Sequence, residues 1–108
     1  MIYSTTETIP GNEILEILEV VTGNVVQSKH IGRDVMAGLK SIVGGEIRGY
    51  TEMLTDARNT ALQRLGDNAH QAGADAVVGV RFTTSAIMEG SCEIMAFGTA
   101  VKLKKLRI

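Results

Sequence analysis

The chain has 108 residues, of which 44% are hydrophobic and 21% charged, with a single proline. That composition gives one domain, residues 1–108, with one core, and excludes intrinsic disorder over most of the length. A formal charge of −1 argues against a general nucleic-acid or membrane surface, and the four aromatic residues Tyr3, Tyr50, Phe82 and Phe97 are too few for a base-stacking platform.

Residues 2–6 read as a short strand, ended by Pro10-Gly11. From Glu13 to Ser28 two signals compete. Ile14, Leu15, Leu18 and Val21 have helical spacing, whereas Val20-Val21-Thr22 and Val25-Val26 are β-branched runs. The β-branched runs favour one long strand, broken at Gly23-Asn24 by a bulge or tight turn. Ile31, Val35, Leu39 and Ile42 then recur every three or four residues, which predicts a short amphipathic helix ending at Gly44-Gly45.

A longer helix is expected from Tyr50 to Ala72. At about 100° per residue, Leu54, Ala57, Ala61, Leu65, Ala69 and Ala72 gather on one side, and Glu52, Asp56, Asn59, Gln63, Asp67 and His70 on the other. Gly73 stands where a left-handed residue closes a helix. Val77–Ile87 and Cys92–Leu103 read as two strands of a hairpin, joined through Met88-Glu89-Gly90-Ser91.

Together these elements predict an α+β (mixed α/β) subunit. It has a small, mostly antiparallel sheet of about four strands, with one short and one long helix on one face. The last strand suggests what happens on the other face. Met95, Phe97, Val101 and Leu103 alternate with Cys92, Ile94, Ala96, Gly98 and Ala100, so neither side of it is polar. Two helices on one side leave a second apolar face wet unless another subunit covers it. At roughly 25 cal/mol per Å2, a few hundred Å2 of such surface drives association by several kcal/mol. The expected partner is therefore the chain itself.

Several motifs in order carry a resemblance to a known family. They are Ser4-Thr5-Thr6, Val20-Val21-Thr22-Gly23, Ile42-Val43-Gly44-Gly45-Glu46, Tyr50-Thr51-Glu52, Ala57-Arg58, Gly73-Ala74-Asp75-Ala76-Val77-Val78-Gly79-Val80 and Gly98-Thr99-Ala100-Val101. In these the chain resembles the YbjQ-like family over nearly its whole length. The resemblance implies a subunit similar in plan to the dodecin-like folds, assembled as a ring-shaped homopentamer, in a family labelled for heavy-metal binding.

The soft-ligand inventory for such a metal is Cys92, His30, His70 and five methionines. No two have the spacing of a metal motif, and a lone cysteine can form neither an intrachain disulfide nor a multi-thiolate zinc cage. A small buried cysteine and two surface histidines explain them. A ring could still gather one Cys92 per subunit, so Cys92 with His30 is the alternative site, for a soft divalent or monovalent metal.

Arg58 falls within the apolar stripe of the long helix, and a buried guanidinium needs a carboxylate or carbonyl partner. Glu46, Asp75 or a neighbouring subunit could supply it, as a structural ion pair or as part of an anion site. Arg33 and Asp34 open the short helix, where capping explains the acid. Gly44-Gly45 with Gly49 lacks the lysine and hydroxyl residue of a phosphate loop.

Arg33, Asp34, Glu46, Tyr50, Arg58 and Asp75 are thus the candidate ligand-binding residues, and no catalytic motif is found. The reading is a non-catalytic oligomeric binding or scaffold module with ligand sites at subunit interfaces. The alternatives are a metal-binding or metal-response protein, and a small-molecule enzyme using Arg58, Glu46 and Tyr50. Met1–Gly11 does not read as a signal peptide, and no apolar run spans a bilayer, so the expected compartment is the cytoplasm.

Overall fold

Asn12–Gln27 forms a single 16-residue strand, β2, after a two-residue strand β1, Ile2–Tyr3. The chain is seen as a computed structural model that describes residues 1–27, 42–43, 46–88 and 90–107, with the backbone alone for 42–43 and 46–50. Ile42–Val43 (β3) and Glu46–Ile47 (β4) pair antiparallel as a separate two-stranded ribbon. A 24-residue helix, α1, runs from Arg48 to Gln71, and Ala76–Met88 (β5) and Ser91–Lys105 (β6) make the hairpin.

The main sheet has the order β1-β5-β6-β2. β1 lies parallel to β5, while β5–β6 and β6–β2 are antiparallel, so the sheet is mixed and β2 is one of its edges. The predicted four-strand α+β plan with the long helix on one face is what forms. The predicted short helix falls largely on residues outside the described set, except that Ile42, assigned to its end, lies in β3.

The helix-like spacing early in β2 has a different origin. The ladder with β6 slips between Ile14 and Glu16 and again between Ile17 and Glu19. Each slip adds a residue without a cross-strand partner, as a β-bulge does. Ile14, Ile17 and Val20, three residues apart, therefore stand opposite Leu103, Val101 and Thr99 on one face. The irregularity expected at Gly23-Asn24 does not occur, since the register runs unbroken from Glu19 to Gln27.

Gly23 answers to packing instead. A Cβ there would overlap the Ala61 carbonyl oxygen and the Leu65 amide nitrogen, so glycine lets the helix backbone lie flush on the strand. The main core forms in that contact. Ala57, Ala61, Leu65 and Ala69 of α1 pack on Val21, Val77, Val80, Ile94, Ala96 and Ala100 of the sheet. The expected helix stripe and the expected inner face of β6 are both present.

Gly73 closes α1 at φ 82°. The Ala74 N–H donates to the Ala69 carbonyl at 3.0 Å and the Gly73 N–H to the His70 carbonyl at 3.0 Å, the paired bonds of a Schellman cap.

The second face is less uniform than the sequence suggested. At one end Ile9, Ala76, Val78 and Val101 form a small buried cluster, with Ile14 and Leu103 against it. Beyond that cluster the face mixes Met95 and Phe97 with Thr22, Asn24 and Glu93, and Asn24 Nδ2 donates to Glu93 Oε2 at 3.2 Å. The expectation that this face is wholly apolar is corrected. The chain's own N-terminal segment roofs part of it, and a cross-strand polar pair, Asn24 with Glu93, occupies another part.

Candidate functional site

Of the ligand-binding candidates, Arg58 and Asp75 are the two with described side chains, and they lie apart. Arg33, Asp34 and His30 lie outside the described residues. Glu46 is in β4 and Tyr50 in the first turn of α1. Arg58 to the helix end at Gln71 is thirteen residues, roughly 20 Å of helix at 1.5 Å per residue, and Asp75 lies beyond that end. Asp75 is therefore not the partner of Arg58.

Arg58 itself is exposed, contrary to the expectation of a buried cation needing a carboxylate. Its Nη2 donates to Thr55 Oγ1 at 3.3 Å. Asn68 lies beside Thr22 and Arg64 beside Asn24, so α1 runs antiparallel to β2. Ala57, next to Arg58, is 1% exposed, so the core continues at this level of the helix. Arg58 stands about 100° around the helix from Ala57 and so flanks the buried row Ala57, Ala61, Leu65 and Ala69.

Asp75 acts as a structural anchor. Its Oδ2 accepts the Leu103 N–H at 2.9 Å and its own N–H donates to the Val101 carbonyl at 2.9 Å, which extends the β5–β6 pairing by one residue. Lys102 Nζ lies 3.9 Å from Oδ1, an exposed pair of little energetic weight.

Cys92 is half-buried at the start of β6, directly opposite Gln27 of β2 and Ala86 of β5. The Gln27 Oε1 is buried and has no hydrogen-bond partner among the described residues. His70 is exposed at the last turn of α1, which lies beside Thr22 in the middle of β2 and away from Cys92 opposite Gln27. Among the described residues there is no group of three or more His, Cys, Asp and Glu side chains that could hold a metal ion.

Two residues that sequence reasoning passed over do more at the sheet edge. Arg64 Nη1 donates to the Asn24 carbonyl at 2.7 Å and Asn68 Nδ2 to the Thr22 carbonyl at 2.7 Å. They are four residues apart on α1, the spacing that stacks two side chains on one flank of a helix. That spacing was the available signal. Beside them a groove of about 420 Å3 is lined by Glu19, Val20, Val21, Thr22, Asn68, Gln71 and Ala72.

Comparison with known proteins now places the chain. A family model described as "Putative heavy-metal-binding", that of the YbjQ-like proteins, matches residues 1–104. The chain belongs to the YbjQ-like family. Similar relatives include a UPF0145 protein of Psychromonas ingrahamii, 82% identical over 105 residues, which cover 97% of this chain and 100% of the relative. A UPF0145 protein of Thermotoga maritima is 59% identical over 106 residues, covering 98% and 100%. Among solved structures, a DUF74-family protein of unknown function from Pediococcus pentosaceus superposes with a TM-score of 0.60 at 15% identity, over 96% of this chain and 98% of that one. That likeness supports the fold. Among the described residues, no helix is long and apolar enough to cross a membrane.

Proposed function

We propose that this YbjQ-like protein is a non-catalytic, homo-oligomeric binding or scaffold module of the cytoplasm, a ring of five subunits as the family resemblance implies, with its ligand sites between subunits. One observation carries the reading: the shape of the subunit. Its Cα radius of gyration is 17.3 Å and its extents are 56 × 29 × 17 Å. A compact domain of this length has a radius near about 13 Å. An extended subunit with Ile17 70% exposed and Val20 73% exposed has apolar surface that a second copy would remove from water. The −1 net charge supports the absence of nucleic-acid and membrane partners. Native mass spectrometry of protein taken from its host is expected to give a multiple of the subunit mass, with any interfacial ligand retained. A single-subunit mass under those conditions contradicts the reading.

The second reading is binding of a soft metal through Cys92. The unpartnered Gln27 Oε1 opposite Cys92 favours it, as does the family's description. Calorimetric titration of the reduced protein with a soft metal such as copper(I) or cadmium is expected to show binding that Cys92→Ser abolishes. Equal binding by both proteins removes the thiolate from the account.

A further inference from the structure

The groove beside the C-terminal end of α1 is built by one subunit from its own residues. Glu19 and Val21 stand opposite Ala100 and Gly98, and Ala100 belongs to the core under α1, so both side chains lie on the helix-bearing face of β2. Asn68 and Gln71, three residues apart, share one flank of α1, and Asn68 reaches down to the strand at Thr22. The floor is apolar, since Val21 is only 3% exposed, with Val20 and Ala72 beside it.

The polar groups that line this floor are acceptors. Asn68 spends an Nδ2 hydrogen on the Thr22 carbonyl, which leaves its Oδ1 as an acceptor. Among the described residues, no ion pair or side-chain hydrogen bond engages the Glu19 carboxylate, the Asn68 Oδ1 or the Gln71 carboxamide. Glu19 carries the one formal charge in the lining, and the end of α1, at Gln71, adds partial charge of the same sign. The nearby cations are turned elsewhere. Arg64, one turn back on the same flank, is held on the Asn24 carbonyl, on the far side of Thr22 from Glu19. His70 is two residues from Asn68, which at about 100° per residue puts it on the other side of the helix.

We propose that this groove binds the ammonium group of a small aliphatic amine. A primary ammonium has three N–H donors and no acceptor, which matches Glu19, Asn68 Oδ1 and Gln71 Oε1, and its alkyl stem lies on Val21 and Ala72. Other ions fit less well. An anion meets both Glu19 and the negative end of the helix, and a quaternary ammonium has no N–H to give and is held by aromatic rings, of which the lining has none. The volume of about 420 Å3 suits a small molecule. The site is complete within one subunit and does not rest on the oligomeric reading above.

Titration of n-butylammonium into the isotope-labelled full chain, followed by amide NMR shifts, tests this. Saturable shifts are expected at Glu19–Thr22 and Asn68–Ala72, including the side-chain amides of Asn68 and Gln71. Glu19→Gln keeps the shape, removes the charge at an exposed position, and is expected to weaken binding about tenfold with an unchanged melt. Gln71→Leu, which removes one acceptor and leaves Glu19, is expected to weaken it about fivefold. Tetramethylammonium, with the same charge and no N–H, is expected to leave these amides unmoved.

The absence of saturable shifts in the millimolar range overturns the proposal, as does equal binding by Glu19→Gln. Equal shifts from tetramethylammonium reduce the effect to general charge attraction and overturn it too. A lysine side chain ends in the same ammonium, so lysine acetylated at its α-nitrogen and amidated at its carboxyl is titrated alongside. It is expected to bind no more tightly than butylammonium; tighter binding gives the groove to a peptide partner and overturns the small-amine assignment. The subunit count decides none of these outcomes, so this result and that of native mass spectrometry stand or fall separately.

Discussion

Gly23 and Arg58 mark the two extremes of what a single residue does here. At Gly23 the space for a Cβ is filled by helix backbone, which cannot swing aside as a side chain can. Gly23→Ala must push α1 off β2 along the contact where Ala61 and Leu65 are fully buried. It is expected to cost about 3 kcal/mol, at the upper end of overpacking penalties, read as a lowered urea midpoint. Arg58→Ala removes an exposed side chain with one neighbourly hydrogen bond and is expected to change stability by no more than about 0.5 kcal/mol. A large loss on Arg58→Ala, in the same urea measurement, means that Arg58 is held by something beyond Thr55. Sequence placed Arg58 in the stripe because angular phase is visible in a sequence, whereas the width of the helix face that the sheet buries is not: the buried row is Ala57, Ala61, Leu65 and Ala69, and Arg58 flanks it.

At the scale of elements, α1 and the β5–β6 hairpin were legible because each has one unambiguous period. The buried alternation Ile94, Ala96, Ala100 on β6 and the stripe Ala57, Ala61, Leu65, Ala69 on α1 are patterns of two and of three to four. β2 was harder to read, because two bulges stretch a period of two toward three and imitate a helix. The Schellman cap at Gly73 was legible from glycine alone. Its replacement by alanine at φ 82° forces a side chain into the left-handed region. Gly73→Ala is expected to cost about 1 kcal/mol and to fray the last turn of α1, seen as faster hydrogen exchange at Ala72–Ala74. Unchanged exchange there would mean that the cap does not hold the turn. The candidate site was scarcely legible. Glu46, Tyr50, Arg58 and Asp75 were grouped by chemistry, but Arg58 lies near the middle of α1 and Asp75 beyond its C-terminal end. The edge contacts of Arg64 and Asn68 depend on which flank of α1 overhangs β2, and that is set by the close approach at Gly23.

The whole molecule is a sheet longer than the helix that covers it. Helix and N-terminal segment together roof the sheet where Leu65, Val77, Ile9 and Val101 are buried, and they leave the far end of the hairpin, Arg81 to Met88, in water. An isolated three-strand ribbon end with Phe82, Ile87 and Met88 exposed is the kind of surface that associates. Sedimentation equilibrium of the purified full chain at micromolar concentration tests this most directly. The account predicts one species with the mass of several subunits, five by family resemblance; a stable species of a single subunit mass would contradict it.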